Sequence, residues 1–213
     1  MSTITETAHL KPSIAVPIDE LPKRRRLTPN EYMRMAETGI LKPGERTELI
    51  RGEIVYMLPI GKRHRYLVSR IDTLLQRLLG DEEWTVFIQT TVEVDDSMPE
   101  PDLVVVKGNG SNFIEREATS EEIRLMIEVA ETSLQYDRGE KLSLYAHAGI
   151  TDYWIVNIPE QRIEVYCQPE KSAGGARYAT HHTCQADDPA TILFEGKLFS
   201  LTPSELFKPL AGK

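Results

Sequence analysis

Two short apolar runs constrain the fold of this chain more than any other sequence feature. Leu103-Val104-Val105-Val106 contains no polar residue, and Ile123 to Ala130 is apolar except for Arg124 and Glu128. Strands with continuous apolar sequence are typical of a sheet that is covered on both faces. We therefore predict that the first run is a buried central strand of a sheet and that the second run is another strand.

The remaining sequence pattern predicts helices that could cover such a sheet. Thr28-Pro29-Asn30-Glu31 has the form of a capping box, and it predicts a helix that Gly39 ends. Helical spacing of leucines predicts a long amphipathic helix over about 63–79. The other predicted elements are a hairpin at Arg51-Gly52, a loop over 107–122, a helix over 137–148, strands over 84–94, 151–157, 162–167, 177–183 and 191–199, and a short helix after Thr202. This mixed order indicates an α/β fold with a mixed sheet flanked by helices.

Length and composition favour one domain in a reducing compartment. The 213 residues are 40% hydrophobic and 27% charged, which is ordinary globular usage. We expect a flexible N-terminal arm over 1–26 and a single domain over 27–213. No membrane-length apolar run or secretory signal is recognisable. The two cysteines have no metal-ligand spacing, so we expect a cytoplasmic protein.

The charge balance limits the ways in which this chain could bind nucleic acid. A net charge of −8 argues against a general electrostatic binder of phosphate. It leaves open an enzyme with an acidic metal site inside a locally basic groove. Lys23 to Arg26 could contact phosphate, or it could simply be a solvated segment.

Two carboxylates stand at positions where burial is costly. Asp102 directly precedes the first apolar strand, and Glu128 lies inside the second. A lone glutamate among apolar residues needs a partner, and two carboxylates from neighbouring strands can hold a hard cation such as Mg²⁺. The alternative is that Asp102 caps a loop and that Glu128 faces solvent on an edge strand.

A lysine shares a helical stripe with apolar residues further along the chain. On the helix predicted after Asp137, Lys141 lies on the same face as Leu144, Tyr145 and Ala148. A lysine on the face that packs against the sheet needs a counter-charge, which carboxylates at a metal site would supply. There it could orient an attacking water and offset charge on a phosphate. The alternative is a lysine that extends to solvent at the rim of the helix.

Three other polar residues have simpler interpretations from the sequence alone. Glu48, which shares a strand face with Ile50, and His64, at the start of the long helix, could reach the same site. Taken singly, each is interpreted more readily as a surface residue. Asp137 is interpreted as a helix N-cap.

Five stretches in this order resemble the Uma2 family, formerly called DUF820, over about 27–205. The stretches are Gly44-Glu45-Arg46-Thr47-Glu48-Leu49-Ile50-Arg51-Gly52-Glu53-Ile54-Val55, Pro101-Asp102-Leu103-Val104-Val105, Ile127-Glu128-Val129, and Asp137 to Leu142 followed by Tyr145 to Val156. The resemblance implies the restriction-endonuclease-like fold of PD-(D/E)xK nucleases, with a central sheet of four or five strands.

The resemblance also implies a set of site residues. Asp102 and Glu128 would be metal ligands, the Val129 carbonyl a third ligand, and Glu48 a neighbour. The parent motif has its lysine two residues after the glutamate, where this chain has Ala130. The resemblance therefore suggests that Lys141 replaces that lysine. Glu131 adds an acid close to the site.

The leading hypothesis is a DNA endonuclease that depends on Mg²⁺ or Mn²⁺. Asp102, Glu128, Lys141 and Glu48 would form its catalytic set, and His64 would line the site. Family resemblance and the needs of a double-strand cutter suggest a homodimer, and we expect the 153–156 strand and the C-terminal strands to carry much of the apolar surface. The alternative function is a non-catalytic restriction-endonuclease-like binding or interaction module.

Overall fold

A mixed sheet of six strands forms the centre of the molecule, as a computed structural model of residues 24–80, 83–172 and 175–208 shows. In chain order the strands are β1 (Thr47–Ile50), β2 (Glu53–Tyr56), β3 (Trp84–Ile88), β4 (Leu103–Lys107), β5 (Ile123–Ala130), β6 (Asp152–Asn157), β7 (Arg162–Ser172), β8 (Gly175–Gln185), β9 (Ala190–Phe194) and β10 (Lys197–Leu201). The helices are α1 (Pro29–Glu37), α2 (Lys62–Leu79), α3 (Leu134–Tyr136), α4 (Leu142–His147) and α5 (Pro203–Phe207).

The order of the central sheet is β3-β4-β5-β6-β7-β8, and it confirms the predicted α/β class. β5 and β6 are parallel, whereas the other neighbouring strands are antiparallel. The connection from β5 to β6 runs through α3, a π-helical turn (Asp137–Lys141) and α4. The sheet exceeds the four or five strands that the resemblance implied, because β7 and β8 form a long hairpin that extends it at one edge.

Apolar side chains pack on both faces of this sheet, as the Leu103–Val106 run predicted. Leu103 and Val105 of β4 pack with α2, α5, β9 and β10 on one face. Val104 and Val106 pack with α4 and β1 on the other. This alternation follows the two-residue period of a strand, and it assigns Glu128 of β5 to the α4 face together with Met126 and Ala130.

Several structures that local sequence signals predict are present. Thr28 and Glu31 make a complete capping box at α1, as Thr202 and Glu205 do at α5. The β1–β2 hairpin turns at Arg51-Gly52, where both residues have positive φ, 49° and 76°. The hairpin is fixed to the body of the domain by main-chain hydrogen bonds between Leu49 and Met98.

Two predicted strands have different bounds in the structure, for identifiable reasons. The strand predicted over 84–94 ends at Ile88, because Gln89 adopts a positive φ of 47°. The strand predicted over 191–199 is a hairpin of β9 and β10, which turns where Glu195 and Gly196 have positive φ. The loop predicted over 107–122 contains a short 3₁₀ helix, Gly110–Phe113.

Most of the predicted N-terminal arm, residues 1–23, lies outside the described residues. Arg24 to Arg26 are described, and there Arg25 pairs with Glu31 while Arg26 donates to the Arg51 carbonyl. Among the helices of the described residues, we find none with the length and apolar character needed to cross a membrane.

Candidate active site

Asp102 and Glu128 lie side by side on adjacent strands. Leu103 pairs with Ile127 in the antiparallel β4–β5 ladder, so the residues one step further, Asp102 and Glu128, also face each other. The Val129 amide donates to Oδ2 of Asp102 at 2.9 Å, and both carboxylates line one cleft. Glu128 is 4% exposed and β5 is an interior strand, so the alternative of a solvent-facing edge position is wrong.

Lys141 extends into this carboxylate group. Its Nζ donates to Oε1 of Glu128 at 2.8 Å and to Oε1 of Glu48 at 2.9 Å. The side chain is 1% exposed, which excludes the alternative of a lysine at the solvent rim. The geometric expectation from the helical stripe is therefore confirmed, whereas a catalytic role for Lys141 stays a prediction.

Glu48 is a buried member of the same cluster. Its Oε1 also accepts a hydrogen bond from the Glu100 amide at 2.7 Å, whereas its buried Oε2 has no hydrogen-bond partner among the described residues. The interpretation of Glu48 as a surface residue is wrong, because pairing of Leu49 with Met98 places β1 against the segment that leads into β4.

His64 orients the other side of Asp102. His64 Nε2 lies 2.8 Å from Oδ2 of Asp102, and Gln89 Nε2 donates to Oδ1 at 3.2 Å. Burial alone would raise the pKa of Asp102, but the His64 hydrogen bond and charge, with the bonds from Val129 and Gln89, lower it. The surface interpretation of His64 is also wrong, because it begins the face of α2 that packs inward.

Asp137 is a site residue that the sequence interpretation missed. It is not an N-cap, because the helical segment begins three residues earlier and Asp137 opens its π turn. The side chain is buried and accepts a hydrogen bond from Ser133 Oγ at 2.6 Å. Burial raises the pKa of Asp137 to about 6, against the opposing attraction of Lys141.

Tyr145 was predicted only as an apolar member of the stripe. Its hydroxyl donates to Oε1 of Glu128 at 2.9 Å, so Glu128 Oε1 receives both the lysine and the tyrosine. Tyr145 follows Lys141 by four residues, just as Asp137 precedes it by four. That spacing, around a lysine already suspected of burial, is the sequence signal that could have found both residues.

The cluster contains more buried carboxyl groups than buried cationic groups. Glu48, Glu128 and Asp137 surround the single ammonium group of Lys141. Burial would lower the pKa of Lys141, but attraction to Glu128 and Glu48 raises it well above its usual value, so the lysine is charged. Burial raises the pKa of Glu128, even though Lys141 opposes this effect. A further cation would therefore be stabilised beside these carboxylates.

The residues present fit a magnesium-type ion better than a metal that needs many side-chain ligands. Within the described residues, no three His, Cys, Asp or Glu side chains converge as a metal centre. Mg²⁺ keeps several water ligands and is commonly bound through one or two carboxylates. Asp102 and Glu128, which both line the cleft, provide such oxygen ligands.

The cleft over these groups has a volume of about 340 Å³. Its wall includes Tyr56 and Leu58, two large apolar side chains that are 69% and 62% exposed. Glu131, the added acid, also lines the cleft, and it lies so close to Gly61 that a Cβ atom there would be 2.5 Å from Oε2 of Glu131. The cleft therefore joins an acidic floor to a partly apolar mouth.

A mixed sheet that presents an aspartate, a glutamate and a helix-borne lysine to one cleft defines a restriction-endonuclease-like protein. Residues 29–204 match the model of the Uma2 family, which is described as "putative restriction endonuclease". The chain belongs to the Uma2 family.

Comparison with solved structures agrees with this fold. A crystal structure of a "putative nuclease belonging to DUF820" from Anabaena variabilis is similar, with a TM-score of 0.67 over 85% of this chain and 98% of the other. The two sequences are 14% identical, so the likeness concerns the fold. No curated protein matches the chain.

Proposed function

We propose that this protein is a DNA endonuclease that depends on a divalent metal and has a PD-(D/E)xK-type site. One observation carries the proposal: the buried ammonium of Lys141 bridges Glu128 and Glu48 beside Asp102, at the floor of an open cleft. A purely structural ion pair would not need to face a cleft large enough for a substrate group. Membership of the Uma2 family supports the same class of activity.

Each residue then has a distinct role. Asp102 and Glu128, with the Val129 carbonyl, would hold Mg²⁺ or Mn²⁺, which when bound activates water and stabilises the charge on the phosphate. Lys141 positions the attacking water and offsets negative charge that develops on the phosphate. Glu48 holds Lys141 in place, and His64 fixes the orientation of Asp102.

Plasmid nicking tests this proposal directly. The wild-type protein should nick supercoiled DNA with Mn²⁺ or Mg²⁺ and stop when EDTA is added, whereas Asp102→Ala should be inactive. Glu170→Ala, which removes an exposed carboxylate on β7, serves as the control and should retain activity. Wild-type protein that leaves plasmid intact with both metals would contradict the proposal.

Calorimetry tests the metal assignment separately. The Asp102→Ala and Glu128→Ala proteins should fold, as judged by circular dichroism, but lose Mn²⁺ binding. Wild-type Mn²⁺ affinity in both variants would contradict the assignment of these ligands. Failure of both variants to fold would instead show that the carboxylates are structural.

The alternative function is a non-catalytic binding module with the same fold. Glu131 in the cleft and the net charge of −8 favour it, because both oppose the approach of a phosphate. Under this alternative, the wild-type protein would bind a partner without cleaving DNA, and Asp102→Ala would bind that partner equally well.

We further propose that two copies act together, since cutting both strands requires two sites. The expected contribution of the 153–156 strand to an exposed apolar surface is wrong, because β6 is buried between β5 and β7. The hairpin of β9 and β10 does expose apolar surface, at Leu193 and Leu198, which pair directly across it. Light scattering at micromolar concentration should give twice the 24.2 kDa of one chain, and a monomer mass would contradict the dimer.

A further inference from the structure

The outward face of α2 concentrates positive charge in a chain whose net charge is −8. The helix carries five basic residues and one acidic residue: Lys62, Arg63, Arg65, Arg70 and Arg77 against Asp72. We infer that this face binds the backbone of double-stranded DNA and delivers it to the cleft. The inference rests on the proposed nuclease function for its choice of substrate.

Three arginines of α2 lie in a line along the helix. Arg63, Arg70 and Arg77 recur every seven residues, which returns each one to nearly the same side of an α-helix. At 1.5 Å per residue the line is about 21 Å long, close to six steps of 3.4 Å along duplex DNA. Leu67, Ile71 and Leu75 bury another side of α2, whereas Arg63 and Arg77 are exposed and Arg70 between them is half-buried.

These cations have no acidic partners in the part of the chain that the structure describes. None of the five basic side chains of α2 forms an ion pair or a side-chain hydrogen bond there, and the buried Nε of Arg70 has no partner. Elsewhere the protein pairs its cations readily, as Arg116 does with Glu122 and Arg138 with Glu164. An acidic protein that leaves one basic surface unpaired has a surface that is complementary to an anionic partner.

The position of α2 connects this surface to the candidate active site. His64 lies in the first turn of α2, lines the cleft and contacts Asp102 at 2.8 Å. Lys62, Arg63 and Arg65 surround it in sequence and are exposed. A DNA strand held along α2 would therefore reach the cleft at the end where the site carboxylates lie.

Fluorescence anisotropy with a 20-base-pair duplex tests the surface without cleavage when EDTA is present. The test protein is the triple variant Arg63→Ala, Arg70→Ala, Arg77→Ala, whose fold should persist because alanine favours helix. The control is Arg116→Ala, Lys171→Ala, Arg177→Ala, which makes the same charge change at exposed residues outside α2. Circular dichroism confirms that both variants are folded.

The α2 variant should bind the duplex at least tenfold more weakly than the wild type, while the control should not change. The plot of log K against log salt should become shallower by about 2.7, since each lost phosphate contact contributes about 0.9. A wild-type affinity and slope in the α2 variant would overturn the inference. So would a wild-type protein that binds phosphatidylserine vesicles, but not DNA, through these arginines.

The experiments distinguish a wrong inference about DNA binding by α2 from a wrong proposal of nuclease activity. Asp102→Ala should bind the duplex as the wild type does, because it leaves α2 intact. DNA binding that depends on the α2 arginines, without any nicking of plasmid, would contradict the proposed nuclease activity and support the inferred DNA-binding surface. Nicking by a wild-type protein whose DNA affinity does not depend on α2 would support the nuclease and overturn the surface.

Discussion

Lys141 carries a buried charge that is paired with Glu48 and Glu128. These partners determine what removal of the lysine does to protein stability and to the candidate active site. From the sequence alone we would expect Lys141→Ala to leave the free energy of unfolding nearly unchanged or even to raise it, because a desolvated charge disappears. The structure changes that expectation, since Glu48 and Glu128 both depend on this ammonium. Breaking a buried ion pair by removing one partner is generally costly, because the other charge remains buried.

We therefore predict that Lys141→Ala lowers the free energy of unfolding by about 3 kcal/mol at pH 7. DNA cleavage should fall by about 100-fold or more under conditions where the variant is still folded, the scale of losing one preorganised electrostatic group. Lys141→Arg should restore activity only in part, because a planar guanidinium does not place its charge as an ammonium does. Urea unfolding and nicking rates check these outcomes, and wild-type cleavage by Lys141→Ala would contradict the catalytic role.

The cleft residues that sequence reasoning selected are those whose local pattern carries the signal. Lys141 shares a stripe with apolar residues, and Asp102 and Glu128 lie in apolar strands, so each is visible at short range. Glu48 and His64 are buried by contacts with distant segments, through Met98 and Asp102 respectively. No local pattern reveals such contacts, which explains why both were interpreted as surface residues.

At the scale of elements, Asp137 was misinterpreted because the helical segment begins at Leu134, so Asp137 lies inside it and opens a π-helical turn. Its wider hydrogen bond, from the Leu142 amide to the Asp137 carbonyl, interrupts the 3.6-residue period on which a helix prediction depends. The turn buries Asp137 and Lys141 together in the site. An N-cap would have placed Asp137 at the end of the helix instead.

The β1–β2 hairpin is the element that places Glu48, and its turn depends on Gly52. Gly52 has a φ of +76°, and a Cβ atom there would lie 2.5 Å from Cβ of Arg26 and 2.9 Å from the Leu27 carbonyl. We predict that Gly52→Ala lowers the free energy of unfolding by about 2–3 kcal/mol, through left-handed strain together with this clash.

Gly44→Ala is the matched control for that prediction. Its φ is +89°, but a Cβ atom there would meet nothing within 4 Å. Denaturant unfolding should therefore show a loss of about 1 kcal/mol, from backbone strain alone. Equal losses in the two variants would show that the contact with the N-terminal segment does not matter.

At the scale of the whole molecule, the order and type of most elements could be predicted, whereas the extent of the sheet could not. The apolar runs and capping boxes identified β4, β5, α1 and α5 because each signal is contained within a few residues. The sequence signal for β8 is weak, since its sequence is polar and much of the strand is exposed. Ten residue pairs with β7 stabilise it, and that pairing is a tertiary property.

Two buried carboxyl groups with opposite pKa shifts should give the whole protein a stability maximum in mildly acidic solution. Burial raises the pKa of Asp137 to about 6, so the folded state binds its proton more tightly than the unfolded state does. Stability should therefore rise as the pH falls from about 6 towards the unfolded value near 3.8, by about 3 kcal/mol. Protonation of Glu128, whose pKa is also raised by burial, acts in the same direction.

Glu164 should reverse this trend at lower pH. Burial alone would raise its pKa, but hydrogen bonds from Arg138, Asn157 and Tyr166 lower it to about 2, so its ionised form stabilises the fold. That stabilisation, about 3 kcal/mol, is present above pH 4.5 and is lost as the pH falls through about 2. Urea unfolding in EDTA should therefore show a maximum in the free energy of unfolding between about pH 4 and 5.

Asp137→Asn should remove much of the rise in stability between pH 7 and the maximum, and Glu164→Gln should weaken the loss of stability below it. A profile that falls steadily from pH 7 to 3 in the wild-type protein would contradict the raised pKa of Asp137.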